Sequence, residues 1–190
     1  MAFSSRCWKN VRDRRHRVVM LLALVASGCG ALAEQEPGAL AVRAAHVEAA
    51  ATGAVLELDL DCQLSGPMQD ALEHGIPLTL RIDLVAGHWP MRERAERRVE
   101  LRYYPLSQRY QLREADSEDV RSFPTRTYLL ASLGSLRIDV PAAFAGRPAG
   151  TPLAVAARLD GPALPGALRL PALFEPAWRL AAARYAWRVP

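Results

Sequence analysis

The feature that most constrains this chain is a strict alternation of apolar and polar residues. In Ala54-Val55-Leu56-Glu57-Leu58-Asp59-Leu60-Asp61-Cys62-Gln63-Leu64 the leucines and Cys62 take every second position. A β-strand sends successive side chains to opposite faces, so this period builds one apolar face and one acidic face, whereas a helix would scatter the leucines around its circumference. The period recurs in Leu78-Thr79-Leu80-Arg81-Ile82-Asp83-Leu84, Val99-Glu100-Leu101-Arg102-Tyr103, Tyr110-Gln111-Leu112, Leu136-Arg137-Ile138-Asp139-Val140 and residues 153–159. Half-buried strands of this kind predict an antiparallel sheet system. An earlier strand over residues 40–49 changes phase between Val42 and Val47, which a β-bulge near Ala44-Ala45 reconciles. At the far end, Tyr185, Trp187 and Val189 alternate with Arg184, Ala186 and Arg188 and predict a closing strand.

Two short helices are expected among the strands. Ser65 or Gly66 can cap the first, Pro67 suits its first turn, Met68 and Leu72 share a face, and Gly75 can end it. The second spans about residues 125–133, with Pro124 before it, Leu129 and Leu133 on one face, and Gly134 after it. Residues 114–121 are polar and read as a loop, and the Pro- and Gly-rich C-terminal third reads as short strands separated by turns. The expected fold class is therefore mainly β: an antiparallel, two-layer β-sandwich-like domain with two short helices, occupying residues 34–190 as a single domain.

The N-terminus has a different character. A basic segment ending in Arg14-Arg15-His16-Arg17 precedes an apolar run, Val18 to Val25, and Ala31-Leu32-Ala33 supplies a small-x-small cleavage site. Residues 1–33 are thus expected to be a secretory signal peptide, with Ala31 and Ala33 as the cleavage residues. The alternative is that Cys29, in Ala26-Ser27-Gly28-Cys29, is lipidated and anchors an envelope lipoprotein with an assembly or maintenance role. Twin-arginine export at Arg14-Arg15 fits the flanking residues poorly. Charge follows the same division. The chain holds 24 Lys+Arg against 20 Asp+Glu, but six of those cations and one acid precede residue 34, leaving 18 arginines against 19 carboxylates. A nearly neutral domain lacks the cation surplus with which nucleic-acid binders neutralise phosphates, so no nucleic-acid partner is expected. Cleavage after Ala33 also removes Cys7 and Cys29, and the remaining Cys62 falls in phase with the leucines, as a small core hydrophobe would.

The order of features also resembles a known family. A strand containing Leu58-Asp59-Leu60 is followed by Ala71-Leu72-Glu73-His74-Gly75-Ile76-Pro77-Leu78. Next come Tyr103 to Tyr110, with Tyr-x-x-Leu-x-x-x-Tyr spacing, then Tyr128-Leu129-Leu130 and a terminal Tyr185-Ala186-Trp187. This is similar to the DUF4390 family of exported proteobacterial proteins. The resemblance implies no catalytic residues, because the family's function is unknown. It does imply a gene setting beside a nitrogen-regulation type membrane sensor kinase, and hence an envelope role. Family members often carry an Arg- and Trp-rich stretch after the third strand, where this chain has only Gly87-His88-Trp89-Pro90-Met91-Arg92.

No constellation for chemistry emerges from the residues. Glu57, Asp59 and Asp61 share one strand face, but at about 6.6–6.8 Å between alternate residues a single strand cannot surround a calcium ion. Arg81 and Arg102, on candidate neighbouring strands, are their expected ion-pair partners. His46, His74 and His88 show no zinc-ligand spacing, and no Gly-x-Ser-x-Gly elbow surrounds any serine. His74, beside Gly75, suits a helix C-terminus. The acidic residues 114–119 lack the calcium-loop pattern. Catalytic, metal and cofactor residues are accordingly expected to be none. Trp89 is the candidate partner contact, whereas Tyr103, Tyr110 and Trp187 are expected in the core. The expected function is that of a non-enzymatic periplasmic binding or accessory module that contacts another envelope protein, a sensor kinase among the candidates. It would touch the membrane only if lipidated at Cys29. An enzyme of unrecognised type is the third alternative, and it would need a concave pocket with titratable groups.

Overall fold

The structure is a computed structural model that describes residues 36–190 other than 52, 116 and 118. The expected signal segment, with Cys29, Ala31 and Ala33, lies outside the described residues. Among the described residues nine strands form two antiparallel sheets. β1 (Ala39–Ala50), β2 (Gly53–Gln63) and β7 (Leu136–Val140) make a three-stranded sheet in the order β1-β2-β7. β3 (Leu78–Ala86), β4 (Glu93–Tyr104), β5 (Arg109–Glu114), β6 (Val120–Phe123), β8 (Pro152–Leu159) and β9 (Tyr185–Arg188) make the second sheet, in the order β6-β5-β4-β3-β8-β9.

The alternation seen in the sequence translates directly into burial. Leu56, Leu58, Leu60 and Cys62 of β2 and Leu78, Leu80, Ile82 and Leu84 of β3 are buried and belong to one hydrophobic core. Fully burying a leucine or isoleucine contributes roughly 1.5–3 kcal/mol, so this shared core holds the two sheets together. The β1–β2 register shifts between Val42 and Ala44, which puts the bulge at Arg43, just before the expected position.

Among the described residues three α-helices pack around the sheets, one more than expected. α1 (Gly66–Glu73) is capped by Ser65, whose side chain accepts from the Met68 N–H, and it ends at Gly75, where φ is +80°. His74 occupies the C-cap, with Nδ1 2.6 Å from the Asp70 carbonyl oxygen. α2 (Arg126–Ala131) starts at the Thr125 cap and runs into a 3-10 turn, Ser132–Ser135, which buries Leu129 and Leu133. α3 (Gly166–Phe174) replaces part of the turns expected in the C-terminal third. Its own Pro171 and the flanking prolines and glycines hide it from a reading based on breakers.

Two further expectations need correction. The polar stretch read as a loop over residues 114–121 runs into β6, which pairs with β5 from Tyr110↔Phe123 to Arg113↔Val120. β6 is a four-residue edge strand with no buried residue, so it shows no apolar alternation. Arg81 and Arg102, expected opposite the acidic row of β2, lie on the other sheet. Arg81 pairs with Asp83 (3.0 Å) and Glu96 (2.6 Å), and Arg102 lies over the Tyr104 ring at 5.0 Å from its centroid.

Candidate functional site

The outer face of the three-stranded sheet collects the acidic row that the sequence singled out, together with His46. Glu57, Asp59 and Asp61 line it from β2. Glu57 receives Arg137 of β7, directly opposite in register, and His46 of β1, whose Nε2 is 2.8 Å away. Asp61 receives Arg43, the residue at the bulge. That hydrogen bond to Asp61, then the Asp61 charge and more weakly that of Asp59, raises the Arg43 pKa. Asp59, between these two, has no hydrogen-bond or ion-pair partner among the described residues.

His46, Glu48 and Glu57 bring one possible ligand atom each to within 4.8 Å of one another. Sequence spacing did not reveal this grouping, because Glu57 enters only through the β1–β2 register. The Arg137 guanidinium already supplies a cation to Glu57, so an ion-paired surface accounts for the cluster. His74 and His88 lie elsewhere, at the end of α1 and in the β3–β4 loop.

A groove of about 890 Å³ runs beside the same strand. It is lined by Arg43 of β1, by the consecutive residues 59–64, by Gln69 of α1, and by Arg126, Thr127, Leu130 and Ala131 of α2. A cavity over one face of a strand meets every second residue; lining by consecutive residues means that this groove follows the strand's edge. A smaller cavity of about 270 Å³, lined by His46, Glu57, Asp59, Gly134 and Arg137 among others, adjoins it at Asp59.

Two apolar surfaces lie elsewhere. Trp89 and Met91, in the β3–β4 loop, are 80% and 85% exposed. The loop closes tightly at Gly87, where φ is +91° and a β-carbon would come within 2.8 Å of the Met91 carbonyl oxygen, so only glycine fits. The second surface is α3. Leu168 and Ala172 pack against the core, while Leu170, Leu173 and Phe174 on the opposite side are 66%, 70% and 75% exposed. The i, i+3, i+4 spacing of that stripe was present in the sequence, obscured by Pro171. Tyr103 and Tyr110, expected in the core, are half-buried and face each other with ring centroids 4.6 Å apart. Trp187 is half-buried against the core from the edge strand β9.

Among the described residues no helix is long and apolar enough to cross a membrane. A family model described as Domain of unknown function (DUF4390) matches residues 38–188. No curated protein and no solved structure matches the chain.

Proposed function

We propose, on the premise that this chain belongs to the DUF4390 family, that it is an exported, non-enzymatic binding module contacting another protein of the bacterial envelope. The observation that carries this reading is the exposed stripe of Leu170, Leu173 and Phe174 on α3. Single exposed apolar residues are ordinary on a protein surface, but three large ones on one face of a helix form a contiguous patch of the kind that a partner covers. Trp89 and Met91 add a second exposed patch at the opposite end of β8, since their loop adjoins Pro152 whereas α3 follows Leu159. Exposed aromatics of this type are common anchors at interfaces. The signal-like residues 1–33, with Ala31 and Ala33 as the candidate cleavage residues, support a periplasmic location for the module, and the family resemblance suggests a membrane sensor kinase as the partner class.

Photo-crosslinking tests this reading. A benzophenone side chain at Leu173, in cells expressing the full chain, is expected to capture an envelope protein, and Phe174→Ser is expected to weaken that capture. Recovery of no envelope protein above background defeats the proposal. The lipoprotein alternative rests on Ala26-Ser27-Gly28-Cys29 and predicts acyl labelling that disappears in Cys29→Ser.

A further inference from the structure

We propose that the β3–β4 loop end of the large sheet rests on an anionic phospholipid bilayer, with Trp89 and Met91 entering the interface and a group of arginines holding lipid phosphates. This takes its envelope location from the reading above and gives the second exposed patch a ligand of its own, one that needs no acyl chain at Cys29.

The apolar tip is held in place by its own loop. The Gly87 N–H donates to the Pro152 carbonyl at 2.9 Å, and the Arg92 N–H donates to that of Pro90 at 3.2 Å. Trp89 and Met91, two residues apart, stand out from this base at 80% and 85% exposure. An indole is well accommodated at the headgroup level of a bilayer, which takes both its apolar body and its N–H. The flexible thioether of Met91 adds apolar area beside it.

The surrounding charge selects a lipid surface. Three segments meet here, residues 86–94, 144–153 and 185–190: Ala86 pairs with Leu153, and Leu153 with Trp187. Arg147 Nη1 lies 3.6 Å from where a β-carbon on Gly87 would sit. Together these segments hold Arg92, Arg94, Arg147 and Arg188 against one carboxylate, Glu93, whereas the rest of residues 34–190 holds fourteen arginines against eighteen carboxylates. A domain that is nearly neutral as a whole thus has a cationic end. Arg94 and Arg188 project to the outer face of the sheet, because Ala95 and Trp187 beside them pack inward. They lie three strand spacings apart across the sheet, roughly 14 Å at about 4.8 Å each, a span that several headgroups occupy.

No carboxylate pairs with any of the four among the described residues. Arg147 and Arg188 donate to the Ala143 and Gly150 carbonyls, at 2.8 Å and 2.9 Å, which leaves their charge uncompensated. Further along the same face Arg81, Arg98 and Arg158 are matched by Asp83, Glu96 and Asp160. A folded protein partner would have to supply a pocket for the indole and several carboxylates placed around it. A phosphate surface presents that charge everywhere, and apolar insertion and Coulomb attraction then act together.

Vesicle binding provides the test. The protein is expressed from Met1, with Cys29→Ser to exclude an acyl chain, and purified as cells process it, so that every variant shares one N-terminus. It is expected to cosediment with vesicles of equimolar phosphatidylglycerol and phosphatidylethanolamine, and to bind phosphatidylcholine vesicles about tenfold more weakly. Raising NaCl from about 0.1 M to about 1 M, which shortens the screening length from roughly 10 Å to roughly 3 Å, should weaken binding. Trp89→Ala is expected to weaken it about tenfold, and Arg92→Gln combined with Arg94→Gln about 30-fold at low salt. All three positions are exposed, so the fold should be unaffected, and Leu173→Ser should leave binding unchanged. Brominated lipids should quench the fluorescence that is lost in Trp89→Phe, which puts the indole within the bilayer. The proposal is overturned if binding is independent of lipid charge, if Trp89→Ala leaves it unchanged, or if a benzophenone at Met91 captures an envelope protein in place of lipid. Crosslinking from Leu173 separates the two readings. Capture there with no vesicle binding removes the membrane contact alone, and vesicle binding through Trp89 without capture removes the protein partner alone.

Discussion

Ser65 joins the first helix to a segment 112 residues further along the chain: its buried hydroxyl donates to the Ala177 carbonyl at 2.6 Å. The same oxygen accepts from the Met68 N–H at 3.4 Å and so caps α1. Ser65→Ala removes the cap and leaves the Ala177 carbonyl without that donor, so it should destabilise the fold by about 1–3 kcal/mol. Urea unfolding of the two proteins measures this, and a difference below roughly 0.5 kcal/mol, the range of ordinary surface substitutions, would refute the linkage.

The C-terminal strand should be indispensable. β9 pairs with β8 from Val155↔Tyr185 to Pro152↔Arg188, and Val189 exchanges backbone hydrogen bonds with Thr151 and Gly150. Tyr185 and Trp187 pack against the core with ring centroids 5.9 Å apart. Deleting residues 185–190 exposes β8 and loses both aromatics, a loss of about 3 kcal/mol or more. Calorimetry should show a lowered or absent transition, and an unchanged one contradicts the role given to β9.

Cys62 should behave as a protonated core residue. Burial, with a smaller contribution from the Asp61 charge, pushes its thiol up from 9.0 to about 12. The folded state therefore holds this proton more tightly than the unfolded state. Its contribution to stability is complete below about pH 9 and is lost as the pH rises towards 12. Urea midpoints of the wild type should accordingly fall more steeply between pH 9 and 10.5 than those of Cys62→Val. Ellman's reagent should react slowly with the native protein and rapidly in urea; equal rates would mean that the thiol is accessible.

The ion pairs should differ in weight according to burial. Asp160 is buried and meets Arg98 Nε at 2.9 Å, whereas Arg113 and Glu100 pair at 3.3 Å with the arginine half exposed. Arg98→Met strands a buried carboxylate and should destabilise by about 1–3 kcal/mol. Arg113→Met should change stability by less than about 1 kcal/mol. Equal effects in thermal melts would show that Asp160 is solvated.

Much of this architecture could be read from residues in order. Leu56, Leu58 and Leu60 dictate a half-buried strand because side-chain direction in a strand is a local property. Ser65, Pro67 and Gly75 mark the ends of α1 for the same reason: caps act within a turn of the chain. The helix α3 was missed because Pro171 and the surrounding glycines and prolines argue locally against it, while Leu168 and Ala172 are held by a core that only the folded protein assembles. Strand β6 was missed because an edge strand with no buried residue carries no period to read.

The local pattern thus determined on its own the β class, most strand positions, the place of Cys62 in the core and the near-neutral charge of residues 34–190. Tertiary structure alone decided which strands are neighbours. Register set Glu57 against Arg137 and His46 rather than against Arg81 or Arg102, and it ended β7 at Leu136, so that Asp59 meets the 3-10 turn at Gly134 instead of a strand residue. The physical reason is that a strand's pattern specifies what each face needs, water or core, but many strands satisfy that need equally well. Pairing is chosen by the packing of the whole sandwich.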